Sequence, residues 1–199
     1  GSSDQTIAHG LGKTPALVFC KNRSSTSHWA VWHQSKTGYY GQLESNGTWA
    51  TDSSQFYTNG MTSNFIGVKG SGACNESGDN MLAYVWTEID GYSKFGKYFG
   101  NGNADGAFVY TGFRPRMIFL RRPGGSDNWF VMDTARDVQN PAGDYLRWDT
   151  TDTEADSSLV DFLSNGFKLR STSASLNASN TEMLYGAWGD VPFKYNVPF

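Results

Sequence analysis

The sequence is poor in the residues and segments on which many enzymes and membrane proteins depend. Its 199 residues include two cysteines and three histidines, and no apolar run is long enough to cross a bilayer. It contains no nucleophile elbow, no zinc-binding helix motif and no phosphate-binding glycine loop with its lysine. The sequence therefore predicts a protein that is not an enzyme, that has no resident metal or cofactor and that has no membrane span.

Positive charge is also scarce. The chain has 16 Lys and Arg residues against 19 Asp and Glu residues, for a formal net charge of -3, and the basic residues are scattered. A nucleic-acid surface needs a basic stripe to neutralise phosphates. The sequence therefore predicts no nucleic-acid partner.

Sustained helical periodicity is missing as well. The one helix expected is a short one at residues 156–163, with Asp156 as its cap. Gly, Ser, Thr and Asn are abundant, leucine is sparse, and short apolar runs alternate with polar turns. This pattern predicts an all-β fold, an antiparallel β-sandwich or jelly-roll-like body.

What the chain does have is an internal repeat of about 100 residues. The segment PALVFCK at 15–21 returns as PRMIFLR at 115–121, and WAVW at 29–32 returns as WFVM at 129–132, both at a spacing of 100. Two copies are too few for a solenoid. The repeat therefore predicts one globular domain, residues 1–199, with pseudo-twofold symmetry.

The boundaries of the two copies follow from the matched blocks. The first copy is predicted at about 9–98 and the second at about 107–199, with the Gly-rich stretch 99–106 as connector. Residues 1–3 (GSS) look like a cloning remnant, and the missing initiator Met indicates an excised or processed piece. Each copy closes on a lysine followed by an aromatic residue: Ser93-Lys94-Phe95 and Phe193-Lys194-Tyr195.

Short runs rich in β-branched and aromatic residues, bounded by turns, predict the strands. Both faces of the runs that begin at Leu17 and Met117 are apolar, which indicates central strands covered on both sides. The predicted strands are 16–22, 28–34, 39–44, 64–69, 80–88, 106–111, 116–122, 128–133, 144–148, 166–171 and 182–188.

Cysteine and histidine offer little chemistry. Cys20 lies in a predicted central strand and is expected to be a buried apolar residue, although a disulfide with Cys74 stays open. His28 and His33 are five residues apart, so they face opposite sides of a strand, and we predict no metal site there. Asn and Asp oxygens in loops 75–80 and 100–106 leave Ca²⁺ as an alternative, although neither loop has the spacing of a calcium loop.

Residues that differ between the copies are the better functional candidates, because a duplicated scaffold keeps its core residues in both. Asp133, Arg136 and Asp137 replace His33-Gln34-Ser35-Lys36 of the first copy. Paired carboxylates could also serve glycoside hydrolysis, which keeps an enzyme as an alternative.

The same filter sorts the aromatic residues. Trp29 with Trp129, and Trp86 with Trp188, are matched and are predicted to be core. The unmatched rings lie in or beside loops and are expected to be exposed, where they could stack on sugars. With the charged residues above, the predicted ligand-binding set is Trp49, Trp148, Trp32, Tyr39, Tyr57, Asp133, Arg136 and Asp137.

Blocks spread over essentially the whole chain resemble a domain of tail-associated proteins of tailed bacteriophages, especially marine ones. The residues that carry the resemblance are His9–Pro15, Lys21–Ser24, Gly91–Gly96, Gly100–Gly102, Asp105–Pro115 and Asp161–Arg170.

The resemblance implies a virion protein of the tail or exterior, non-catalytic, that recognises a host-surface glycan or receptor. The alternatives are a glycan-degrading tail enzyme and a decoration or structural module. It also implies other virion subunits as partners and a homo-oligomer, of which a trimer is the common form in tail fibres.

Overall fold

The computed structural model describes residues 3–70 and 72–190, and within these ranges the chain is built from fifteen strands, one short α-helix and two 3-10 helices, Gln34–Lys36 and Thr58–Gly60. Two compact units divide the chain, Gly1–Glu88 and Ile89–Phe199. We call them the first and the second unit. All paired strands are antiparallel, so the predicted all-β antiparallel class is confirmed. No helix among the described residues is long and apolar enough to cross a membrane.

The first unit contains a five-stranded sheet in the order β5-β4-β3-β2-β7 and a separate pair, β1-β6. The buried face of the sheet carries Val18, Cys20 and Trp32 and packs with Phe56 and Ile66. The strands of this unit are β1 (Gln5–Ala8), β2 (Leu17–Asn22), β3 (Trp29–His33), β4 (Tyr39–Gln42), β5 (Ala50–Thr51), β6 (Phe65–Val68) and β7 (Met81–Trp86).

The second unit is one eight-stranded sheet in the order β8-β15-β10-β11-β12-β13-β14-β9. The sheet is nearly closed, and its two edge strands are consecutive in the chain. Its elements are β8 (Ser93–Phe99), β9 (Phe108–Tyr110), β10 (Met117–Arg121), β11 (Phe130–Asp133), β12 (Ala142–Arg147), β13 (Ala155–Leu163), β14 (Gly166–Leu169), α1 (Ala174–Asn177) and β15 (Glu182–Trp188).

The sequence repeat is a structural repeat. Strands β7-β2-β3-β4 of the first unit and β15-β10-β11-β12 of the second have the same order. The registers match too: Leu17 lies opposite Trp86, and Met117 lies opposite Trp188. As predicted, β2 and β10 are central strands, and each forms a hairpin with the strand that follows it.

The predicted helix at 156–163 is wrong, because these residues belong to the nine-residue strand β13. Val160 and Phe162 are buried, and β13 pairs with a strand on each side. Tertiary pairing therefore overrides the local pattern. The sequence also missed β1, β5, β8 and helix α1.

The unit boundary does not coincide with the boundary of the sequence copies. Strand β8 belongs to the first copy by sequence, yet it pairs along its whole length with β15 of the second unit. Of the predicted connector at 99–106, Phe99 is the last residue of β8, Gly100 forms an isolated bridge, and residues 101–106 have no regular structure. The aromatic-lysine end of the second copy, at 193–195, lies outside the described residues, and the single-domain organisation stays a prediction.

Candidate functional site

Strand β9 presents two exposed aromatic rings on one side of the second unit. Phe108 is 46% exposed and Tyr110 is 64% exposed, whereas Val109 between them is 5% exposed and belongs to the core. Residues two apart on a strand point to the same face, with Cα atoms about 7 Å apart. The two rings therefore project from the same, outer face of β9.

The neighbouring strand β14 keeps this surface flat. Lys168 lies opposite Phe108, and Gly166 lies opposite Tyr110. A Cβ atom at Gly166 would come within 2.1 Å of the Val109 carbonyl oxygen and 3.2 Å of the Phe108 ring. Since no side chain fits at that position, nothing from β14 stands between the two rings.

Charged groups border the rings on one side. Lys168 Nζ lies 2.9 Å and Arg170 Nη1 3.2 Å from Asp105 Oδ1. The hydrogen bond and the charge of Lys168 lower the pKa of the exposed Asp105 carboxyl. Asp161 holds Arg170 from the other side, with its Oδ2 atom 2.6 Å from Arg170 Nε. We call Phe108, Tyr110, Asp105, Lys168 and Arg170 the β9 platform.

The connector beside the platform is anchored by one buried amide. Asn177 is fully buried, and its Nδ2 group donates to Asn101 Oδ1, to the Asn103 carbonyl and to the Ser171 carbonyl. In return, Asn177 Oδ1 accepts from the Asn101 backbone N–H at 2.9 Å. These bonds hold the connector that carries Asp105, so the polar side of the platform has a defined position.

A surface of this kind suits the face of a sugar ring. Exposed aromatic rings stack on apolar C–H groups, while ammonium, guanidinium and carboxylate groups beside them bond hydroxyl groups. Among the described residues, no group of three or more His, Cys, Asp or Glu side chains could hold a metal ion.

Two of the predicted binding tryptophans are buried, so the expectation that they are exposed is wrong. Trp32 is 3% exposed and lies in the core of the first unit. Trp49 is 5% exposed, and its ring fills the space over Gly41, where a Cβ atom would lie 2.5 Å from it. Tyr98, another unmatched ring, is 7% exposed. The absence of a repeat partner therefore does not mark an exposed ring.

The remaining predicted rings are placed differently. Trp148 is half-buried, with its ring centroid 5.6 Å from that of Phe119 and 6.3 Å from that of Trp129. Tyr39 is 39% exposed and has the Lys36 ammonium over its ring, 5.1 Å from the centroid. Tyr57 is half-buried.

Of the four matched tryptophans, one confirms the core prediction and three do not. Trp129 is fully buried, whereas Trp29, Trp86 and Trp188 are only half-buried.

The predicted charged residues do come together, in the turn after β11. Arg136 Nε lies 2.9 Å from Asp133 Oδ2, and Arg136 Nη1 lies 3.2 Å from Glu154 Oε2. Asp133 Oδ1 also accepts from two backbone N–H groups of this turn. In the first unit, His33 Nδ1 accepts from the Ser35 N–H in the same way. The His33–Asp133 difference between the copies therefore preserves a turn cap.

Asp137 and Asp144 have opposite titration behaviour. Backbone N–H groups, that of Gly143 first, lower the pKa of Asp137. Desolvation and then the negative charges of Glu154, Asp137 and Asp156 raise the pKa of Asp144. A general acid needs a raised pKa, so Asp144 suits that role better than Asp137 does.

The two cysteines are free and buried. Cys20 Sγ donates to the Cys74 carbonyl oxygen at 3.9 Å. Burial raises the pKa of the Cys74 thiol. Cys20 and Cys74 are therefore two packed thiols within the first unit.

The residues of the β9 platform are not among the sites predicted from the sequence. The signal for the platform was the alternation Phe108-Val109-Tyr110, in which two aromatic residues flank one apolar residue in a predicted strand. Alternation alone does not say which face is inside, and the flattening role of Gly166 appears only when β9 and β14 pair.

The fold and the site define an all-β protein with a duplicated antiparallel sheet and an exposed aromatic surface on its second unit. The chain belongs to the family described as "Domain of unknown function (DUF7483)", whose model matches residues 1–192. No curated protein and no solved structure matches the chain.

Proposed function

We propose that this protein is a non-catalytic module of a phage virion that binds a host-surface glycan through the β9 platform. The observation that carries the proposal is the pair of exposed rings, Phe108 and Tyr110, on a surface that Gly166 keeps flat. The resemblance of the sequence to tail-associated phage domains supports the virion setting. The charged groups beside the rings supply the hydrogen bonds that would orient a sugar.

A glycan array followed by binding isotherms on the best-bound oligosaccharide tests the proposal. Phe108→Ala and Tyr110→Ala are each expected to weaken binding about tenfold or more, which corresponds to the loss of about 1.4 kcal/mol when a large aromatic contact is removed. Phe65→Ala is the matched control, because Phe65 is also a partly exposed ring on a strand, at 39% exposure, but in the first unit. Wild-type affinity in both platform variants, or no bound glycan, would refute the proposal.

A glycan-degrading enzyme is the second candidate, and the raised pKa of Asp144 favours it. Asp144 lies directly opposite Asp156 on paired strands. If this candidate is correct, the protein releases reducing ends from host polysaccharide, and Asp144→Asn abolishes the release. Glu76→Gln, which changes an exposed carboxylate of the first unit, is the control. Polysaccharide that stays intact under the wild-type protein rules the second candidate out.

A further inference from the structure

A third exposed ring lies on the strand at the other edge of the second-unit sheet. Phe99, the last residue of β8, is 57% exposed. Its neighbour Tyr98 is buried in the same core as Val109 of β9. Since successive side chains of a strand point to opposite faces, the Phe99 side chain projects from the outer face of the sheet. Phe99 and the two rings of the β9 platform therefore share one face.

The connector brings the end of β8 close to the start of β9. Gly100 follows Phe99, and a Cβ atom at Gly100 would lie 2.5 Å from the carbonyl carbon of Asn177. Gly106 comes two residues before Phe108, and a Cβ atom at Gly106 would lie 3.0 Å from Asn177 Nδ2. The two strand ends therefore meet at one buried residue. Strands β8 and β9 border the gap that keeps this sheet from closing, and we call this gap the seam.

Core contacts hold the two sides of the seam together from the inside. The Tyr98 ring centroid lies 6.2 Å from that of Phe167, and Phe167 is the strand partner of Val109. Tyr98 also donates its hydroxyl to the Leu176 carbonyl oxygen at 2.7 Å. A ligand on the outer face can therefore contact both edge strands without entering the core.

The three exposed rings are spread too widely for one sugar. Because both strand ends contact Asn177, Phe99 lies at about the level of residue 107, and Tyr110 lies three residues further along β9. Three residues of a strand span about 10 Å. A six-membered sugar ring has roughly the area of a single aromatic ring. A glycan that contacts Phe99, Phe108 and Tyr110 must therefore be a chain of several sugars.

Charged groups accompany the rings on both sides of the seam. On β8, Lys97 Nζ lies 5.9 Å from the centroid of the Phe99 ring and 2.9 Å from Glu182 Oε2. On the other side lie the platform cations, Lys168 and Arg170, which contact Asp105. The same kind of polar group therefore borders the rings at each edge strand.

These charges balance one another. Each of the three cations Lys97, Lys168 and Arg170 contacts a carboxylate, and the carboxylates are those of Glu182, Asp105 and Asp161. The formal charges of these six described side chains sum to zero. An acidic sugar would meet three carboxylates here, whereas sugar hydroxyl groups can donate to the carboxylates and accept from the cations.

We propose that the glycan of the β9 platform is an uncharged chain that crosses the seam and also stacks on Phe99. The proposal rests on the proposed function, because it assigns the ligand class of the same site. Phe108 and Tyr110 hold one part of the chain, and Phe99 holds another part. A chain too short to reach from β9 to β8 binds without contacting Phe99.

Binding isotherms with oligosaccharides of graded length test the proposal. The probes are uncharged oligomers of glucose, galactose, mannose and N-acetylglucosamine, from disaccharide to octasaccharide, and uronic-acid oligomers of the same lengths. Affinity for at least one uncharged series is expected to rise about tenfold or more from its shortest to its longest member, as an added ring contact would give. The uronic-acid oligomers are expected to bind more weakly at every length.

Variants of Phe99 show whether its ring makes the added contact. Phe99→Ala is expected to lower the affinity for the longest oligomer about fivefold or more and to leave that for the shortest one that binds within about twofold. Phe99→Tyr keeps the ring and is expected to bind like the wild type. Phe65→Ala is again the matched control in the first unit and should change affinity at no length. Thermal unfolding of each variant confirms that it is folded.

Three results would overturn the proposal: a Phe99→Ala protein with wild-type affinity for long oligomers, an equal loss for short and long oligomers, or tighter binding of the uronic-acid series. If Phe108→Ala and Tyr110→Ala weaken binding while Phe99→Ala does not, the β9 platform remains a glycan site and only the crossing of the seam is refuted. If the wild-type protein binds no glycan at all, the proposed function and the crossing of the seam are refuted together.

Discussion

The two units share the same arrangement of four strands, but the last of these strands along the chain, β7 in the first unit and β15 in the second, lies in different surroundings. Strand β15 is almost entirely buried between β10 and β8. Within the part of the chain that the structure describes, β7 is paired on one side, and its central residues are exposed. The sequences at the matched positions reflect this. The first unit has the large ring of Tyr84 where the second has Gly186, against which the Phe119 ring packs.

The difference teaches that repetition in sequence determines strand order and register more firmly than it determines burial. Order and register depend on patterns within each copy, so they survive in both units. Burial depends on which further strands pair or pack, and only the second unit extends its sheet with β8, β13, β14 and β9.

Exchanging the residues at the matched position of β7 and β15 should have the largest effect. Gly186→Tyr is expected to destabilise the second unit by more than about 3 kcal/mol, because overpacking a full side chain exceeds the usual cost of added methylenes. Even a Cβ atom there would lie 2.3 Å from the Phe119 ring. Urea unfolding, monitored separately in each unit by hydrogen exchange of its backbone amides, measures the effect.

The reverse change is the matched control. Tyr84→Gly is expected to cost about 1 kcal/mol, since Gly weakens a strand modestly and the lost ring is half exposed. Equal costs for the two exchanges would contradict the burial difference between β7 and β15.

Truncating the unmatched tryptophans, Trp49 in the first unit and Trp148 in the second, should have effects of intermediate size on stability. Trp49→Ala is expected to destabilise the first unit by about 3 kcal/mol, as truncating a buried large ring does. Trp148→Ala removes a half-buried ring from the second unit and should cost less. Thermal unfolding of both variants measures the order, and a Trp49→Ala protein as stable as wild type would show that the ring is not a packing residue.

The smallest expected effect is a pH dependence of the unfolding free energy that comes from His28 in the first unit. His28, stacked on Tyr40 at 5.7 Å, has its pKa lowered, first by burial, and its counterpart in the second unit is Asn128, which does not titrate. The unfolded chain therefore binds a proton more readily than the folded one. Stability attributable to His28 is present above its ordinary pKa of 6.5 and is lost as pH falls through the lower folded value.

Replacing His28 with the residue of the second copy tests this assignment. In His28→Asn, the unfolding free energy of the first unit should change less between pH 7 and pH 5 than in the wild type, by roughly 1 kcal/mol or less for a partly buried group. Denaturant titrations at the two pH values provide the comparison. An unchanged pH slope would assign the dependence to other groups.

The sequence predicted the strands best where short-range patterns are strong. Both hairpins that begin at Leu17 and Met117 are confirmed. They could be predicted because the proline, the apolar run and the polar turn that specify each hairpin lie within about 20 residues of one another. Strand β13 was predicted as a helix, because its pairing with β12 and β14 is set by partners that its own sequence does not specify.

The candidate site was predicted less well than the fold. Asp133 and Arg136 do pair, but as part of a turn cap that His33 also provides. Trp32 and Trp49 were expected to be exposed and are buried. A ring without a repeat partner can still pack in the interior, as the Trp49 ring does over Gly41. Phe108 and Tyr110 were not selected, because their exposure depends on β14.

By itself, the sequence determined the β class, the duplication and the register that the copies share, because turn chemistry and strand alternation act over short distances along the chain. Only the tertiary structure decided which faces are exposed, where β8 pairs and which rings reach the surface. Those outcomes depend on contacts between segments far apart in the chain, and the same local pattern permits either side of a strand to be covered.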